Sequence, residues 1–206
     1  MTQGQSHMAR EIAEIPDAAR RFLDGSRDAL RGAAAALRDR QPLVVTTVAR
    51  GSSDHAAAYL KYAIELEQGI PVASLGPSIA SIYRRPLHLA QAACIGISQS
   101  GRSPDIVDMI RAAGEGGALT VAITNAPDSP LAEGAAHPLP LLAGVERSVA
   151  ATKTFVASVL AGLALLAEWR EDAALRRAVD GLPDAFARAL DCDWSPLAAR
   201  LAGAGS

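Results

Sequence analysis

Apolar and polar positions change their period several times along the chain, and each change predicts an element. From Ala9, the residues Ile12, Ile15, Ala19, Phe22 and Leu23 recur three and four apart, the spacing of one helix face. Pro16 interrupts that face, so either a helix starts there or two short ones meet. Residues 29–38 continue the helical period. After Pro42 the run Leu43-Val44-Val45-Thr46-Thr47-Val48 is rich in β-branched residues and predicts a first strand. An alanine-rich helix to about Gln68, a short strand over 72–75 and a helical turn over 79–83 follow. A third strand is expected over 89–97 with its helix over 105–114, and a fourth strand over 118–124. Residues 138–142 read as a fifth strand whose prolines belong at a sheet edge, because proline donates nothing to a ladder. The longest helix is expected from about Val149 to Glu168, and another over 173–190, broken by Gly181 and Pro183.

Strands separated by helical segments predict an α/β fold: a three-layer sandwich with a five-stranded parallel sheet flanked by helices and an N-terminal helical leader. The expected divisions are a disordered tail over 1–8, the leader over 9–40, the sheet domain over 41–170 and a C-terminal helical segment over 171–206. Ligands of such sheets sit beyond the carboxyl ends of the strands, where the loops after the first and third strands both fall.

Those two loops carry the candidate chemistry. The apolar run Cys94-Ile95-Gly96-Ile97 ends in Ser98-Gln99-Ser100-Gly101-Arg102-Ser103, and a helical pattern follows from Ile106. Hydroxyls at Ser98, Ser100 and Ser103 stand beside the free backbone N–H groups of a first helical turn, a combination that suits a phosphate. The plain alternative is an ordinary turn, with Ser103 as a helix cap. Gly51-Ser52-Ser53 repeats the same grammar after the first strand and strengthens the anion reading. Neither loop carries a P-loop pattern, and no GxGxxG marks a dinucleotide site. Gln99 offers an amide that both donates and accepts, suited to a sugar hydroxyl.

A third segment, Glu146-Arg147-Ser148-Val149-Ala150-Ala151-Thr152-Lys153, holds two further candidates. Glu146 can accept from a ligand hydroxyl or serve a helix start, and Lys153 can be a ligand contact or a paired lysine. His55 reads as half-buried packing or a cap. The histidines and the two cysteines show no metal spacing, so no metal and no cofactor are expected. Ser52, Asp54 and His55 are too tightly spaced for a nucleophile triad, and no paired carboxylates stand ready for proton transfer; no catalytic residue is assigned.

Half of the residues are apolar and 4% are aromatic, so the core is expected to be aliphatic with closely packed helices. The net charge of -2 argues against a nucleic-acid partner. The longest apolar stretch, residues 156–167, is too short to span a bilayer, and no signal peptide is evident, so the expected location is cytoplasmic.

The three segments together resemble the sugar isomerase (SIS) domain family. The likeness is to the first SIS domain in the isomerase half of glutamine–fructose-6-phosphate aminotransferase and to its relatives without a glutaminase, of the glucosamine-6-phosphate deaminase type. The leader from Met8 to Pro16 also resembles the segment preceding that domain. The resemblance implies that Ser98, Ser100 and Ser103, with the Gln99 backbone, hold a sugar phosphate. Ser53 would lie beside a sugar hydroxyl, with Val149 and Ala150 lining the site through main-chain groups; Ser52, Glu146 and Lys153 are further candidates. Two positions depart from the family: Arg102 replaces an acidic residue, and Ala151 stands where serine is frequent. In the family the acid–base groups come from a second SIS domain and a C-terminal tail. The expectation is therefore a phosphosugar-binding domain, from an enzyme interconverting glucosamine 6-phosphate with fructose 6-phosphate and ammonia, that is catalytically incomplete as this chain. The alternatives are a non-catalytic sensing module and a single-domain oligomeric isomerase. A homodimer, or packing against a second SIS domain through the alanine-rich helices over 56–64 and 149–166, is the expected assembly.

Overall fold

The protein is described by a computed structural model over residues 6–204. Three leader helices come first, α1 (His7–Ala13), α2 (Ile15–Gly25) and α3 (Arg27–Arg40). The sheet domain follows as β1 (Val44–Ala49), α4 (Ser52–Gln68), β2 (Val72–Ser74), α5 (Ser78–Ser81), β3 (Ala92–Ser98), α6 (Pro104–Glu115), β4 (Leu119–Thr124), α7 (Pro130–Gly134) and β5 (His137–Pro140). The chain continues through α8 (Lys153–Arg170), α9 (Ala173–Asp180), α10 (Leu182–Leu190) and α11 (Ser195–Ala202).

The sheet is five-stranded and all-parallel in the order β2-β1-β3-β4-β5. The strands buried on both sides read as continuous apolar runs, and alternate residues serve opposite faces. Ala93, Ile95, Val121 and Ile123 join one cluster with α2, α3, α4 and α8, while Ala92, Cys94 and Ala122 join the other with α6 and α7. The prolines of β5 lie at the sheet edge, as the missing donor requires.

Several boundaries differ from the sequence reading. Two helices do meet at Pro16, which sits in the first turn of α2, where its lost N–H has no helical partner. Helix α1 starts at His7 under a Ser6 cap, inside the stretch expected to be a tail; residues 1–5 of that stretch lie outside the described residues. Helix α8 starts at Lys153 rather than near Val149. Nor do the alanine-rich helices present their small faces to a partner. Ala56, Ala57, Leu60 and Ile64 of α4 pack against α8, and a Cβ on Gly162 would come within 3.1 Å of Leu60. The outer side of α4 instead exposes Tyr59, Tyr62 and Leu66. Among the described residues no helix is long and apolar enough to cross a membrane.

Candidate functional site

Strand β3 delivers Ser98 as its last residue, and α6 starts at Pro104 with Ser103 in the capping position. The turn between them holds itself. Ser98 Oγ accepts from the Gly101 N–H at 3.2 Å, and Ser100 Oγ accepts from the Arg102 N–H at 3.3 Å. The Gln99 carbonyl accepts from the Asn125 N–H at 3.2 Å, tying the turn to the end of β4. Gly101 has φ of +60°, and a Cβ there would run into the Ser129 side chain. Glycine is therefore required twice over, by conformation and by space. Ser103 makes no side-chain cap bond to α6.

The end of β1 is built alike. Gly51, with φ of +57°, turns the chain into α4, whose first residues are Ser52 and Ser53. Just before it, Arg50 Nη1 lies 3.0 Å from Asp105 Oδ2 in the first turn of α6, which ties one strand-end loop to the other. Arg50 is 68% exposed, so the pair contributes at most about 1 kcal/mol to stability. Its guanidinium has further donors to offer.

The third segment, between β5 and α8, has no regular structure from Leu141 to Thr152. Its Glu146 carboxylate does the work of a helix cap. Oε1 accepts from the Thr152 N–H and hydroxyl, each at 3.0 Å, and from the Thr154 N–H at 3.1 Å; the Thr154 hydroxyl donates to Oε2. This cap draws residues 149–152 out of the helix, which explains the late start of α8. Lys153 is 2% exposed, and its ammonium sits 2.5 Å from the Glu14 carboxylate rather than in the site. The carboxylate of Glu11 accepts from the Arg147 and Ser148 N–H groups at 2.5 and 3.2 Å.

These three loops enclose a cavity of about 260 Å³ at the carboxyl end of the sheet, lined among others by Ser52, Ser53, Ser98, Gln99, Ser100, Ser103, Glu146 and Val149. Of the residues singled out from sequence, Ala150 and Lys153 do not line it. Three lining residues lie outside that candidate set: Arg50, Ser148 and Ala151, the last noted only as a departure from the family. Arg50 had a readable signal, a cation between the end of β1 and the glycine that turns into α4. Arg102 is exposed and outside the lining, as is His55, which is not half-buried as expected. Larger hollows lie elsewhere, one of about 490 Å³ among α2, α3, α8 and α9, but no serine or threonine hydroxyl lines them. Cys94, four residues before Ser98 in β3, is buried, and burial pushes its thiol up to about 11, so it is no nucleophile. Among the described residues no three His, Cys, Asp or Glu side chains cluster to hold a metal ion.

The arrangement offers hydroxyl and backbone donors, two helix N-termini (α4 and α6) and one guanidinium to an anion, and its only carboxylate is occupied. The sequence profile of the SIS domain family matches residues 40–168. The chain belongs to that family. Its sequence is 37% identical over 176 residues to the glutamine–fructose-6-phosphate aminotransferase of Symbiobacterium thermophilum, which covers 81% of this chain and 28% of that enzyme. The fold is shared with a Silicibacter pomeroyi protein provisionally assigned as a phosphosugar isomerase, at 56% identity and a TM-score of 0.90, over 92% of this chain and 58% of that one. The C-terminal domain of glucosamine-fructose-6-phosphate aminotransferase from Francisella tularensis matches at 26% identity and a TM-score of 0.74, over 91% and 55% of the two chains. The chain thus spans about 28% of the curated relative named here and little more than half of these solved chains. Within the family it resembles the isomerase-domain branch that includes these aminotransferases.

Proposed function

We propose that this chain binds a phosphosugar, in the amino-sugar-phosphate class, in the cavity beyond β1 and β3, and acts there as a binding module. The phosphate sits in the β3–α6 turn, held by Ser98, Ser100 and Ser103 and the Gln99 backbone. Hydrogen bonds from such donors to a charged oxygen are each worth roughly 1.5–3 kcal/mol, and the N-terminus of α6 adds its positive end. Arg50 supplies the countercharge. Ser53, with Ser52 beside it, meets a sugar hydroxyl, and the backbone around Ser148 and Val149 closes the opposite wall. The single observation that carries this reading is the state of Glu146. Glu146, the only carboxylate among the described residues lining the cavity, is bonded to Thr152 and Thr154, so it holds the wall in shape and is not free to move a proton between sugar carbons.

One observation favours a second reading. At 56% identity the Silicibacter pomeroyi chain extends well beyond the 58% that this chain covers. In that reading the cavity is the phosphosugar-holding half of an isomerase or deaminase. A proton shift between C1 and C2, with ammonia lost or gained, then needs a base from outside the residues lining this cavity.

The test is a calorimetric titration with glucosamine 6-phosphate beside a coupled assay for fructose 6-phosphate and ammonia. The expected result is binding without turnover, weakened roughly tenfold in Ser100→Ala, the loss of one charge-assisted hydrogen bond. Turnover would decide for the second reading. No heat at millimolar ligand would refute both.

A further inference from the structure

Helix α1 lies outside the residues matched by the family profile, yet it reaches the wall of the cavity. Glu11 is 5% exposed, the only buried carboxylate among the described residues. Carboxylates are almost never buried without partners. Its partners are consecutive backbone amides of the site loop, Arg147 N–H at 2.5 Å on Oε1 and Ser148 N–H at 3.2 Å on Oε2. The Ser148 hydroxyl is buried beside them and makes no hydrogen bond of normal geometry, so the two amides define the contact. Three residues on, Glu14 holds the Lys153 ammonium at the far end of the same loop. Arg21 of α2 donates to the Leu142 and Ala143 carbonyls at 3.1 and 3.2 Å, fixing the near end.

A segment with no ladder or helix of its own has amides that need acceptors from elsewhere. Here an ionised carboxylate accepts them, and charge-assisted bonds to it are shorter and stronger than neutral ones. The next residue after Ser148 is Val149, which with Ser148 lines the cavity and is fully exposed. We infer that Glu11 is a positioning residue for the site: it latches Arg147 and Ser148 so that the Val149 wall is already in place when the sugar end of a ligand arrives. The consequence for ligands rests on the phosphosugar reading above; the latch itself does not. Fixing the wall beforehand removes an ordering cost from binding. The leader is then part of the site.

Two ligands separate this role from a general structural one. Inorganic phosphate fills only the serine turn, whereas glucosamine 6-phosphate meets both walls. In the full chain carrying Glu11→Ala, NMR-followed hydrogen exchange without ligand should speed up about tenfold or more at the Arg147 and Ser148 amides, with residues 99–103 unchanged. Glucosamine 6-phosphate should bind roughly tenfold more weakly while inorganic phosphate stays within about twofold. Glu11→Gln retains one carbonyl acceptor and presents an amide N–H₂ to the second donor, so it should fall between wild type and alanine. It also serves if the alanine variant does not fold. Unchanged exchange at Arg147 and Ser148 in either variant would overturn the latch. Equal weakening of the two ligands would overturn the positioning role. If neither ligand binds the wild type, the phosphosugar reading fails, and exchange at Arg147 and Ser148 alone upholds or overturns the latch.

Discussion

The two walls of the cavity are held in opposite ways. The Ser98–Ser103 turn is closed by its own hydroxyls, with partners two or three residues away, and by a glycine in a left-handed conformation; its links outward are backbone bonds from the Asn125 and Leu131 N–H groups. The wall from Glu146 to Val149 is held by Glu11 and flanked by Glu14 and Arg21, side chains more than 120 residues earlier in the chain. A locally closed loop keeps its form as long as its own few residues do. A remotely latched one depends on how another element docks, which makes it the wall more easily displaced.

The largest effect should come from breaking the self-contained wall. Gly101→Ala must place a Cβ at positive φ against Ser129, whose hydroxyl accepts from the Ala132 N–H at the start of α7. Strain and overpacking together should remove about 3 kcal/mol, read as a lower midpoint in urea unfolding. A loss under about 1 kcal/mol would mean the turn yields more readily than its packing implies. The remotely latched wall has one local fastening, the Glu146 cap. Glu146→Ala strips acceptors from Thr152 and Thr154 and should destabilise the chain by about 2 kcal/mol, with exchange rising first at residues 152–154. Fraying elsewhere in α8 first would contradict the cap.

The smallest effect follows from charge. The Ser148 hydroxyl, the Arg147 amide, the Ser148 amide and the Lys153 ammonium favour the ionised form of Glu11 and hold its carboxyl below the ordinary glutamate range, against some opposition from burial. The folded state therefore binds that proton less tightly than the unfolded one. The stabilisation is present above the unfolded value and disappears as pH falls through the lower folded one. Unfolding curves of the wild type and Glu11→Gln, compared from neutral to acid pH, should converge as the carboxyl protonates. Curves that stay parallel would remove ionisation from the latch.

What was legible in the sequence follows the same division. The serine turn could be read because hydroxyls, glycine and the flanking strand and helix signals lie within a dozen residues. Edge placement of β5 followed from Pro138 and Pro140 alone, since the missing N–H acts wherever the strand lies. The start of α8 was misread. Alanine-rich residues from Val149 favour a helix, but the Glu146 carboxylate takes the capping position further along. The alanine faces of α4 and α8 were read as surfaces for a partner because small apolar faces look alike whether they meet another chain or each other. Arg50 was passed over because its pairing with Asp105 joins two loops 55 residues apart.

By itself, the sequence determined the parallel α/β sandwich, through the periods of its apolar residues, and the anion-suited turns at the ends of β1 and β3, through hydroxyls and glycines close along the chain. Only the tertiary structure decided that α4 and α8 spend their small faces on each other, that Glu146 and Lys153 are held by partners, and that the leader reaches the wall of the cavity through Glu11. Periods and turn residues act over a few positions, so their consequences can be read in order. An ion pair or a carboxylate on two amides depends on where distant segments of chain meet, and packing sets that meeting.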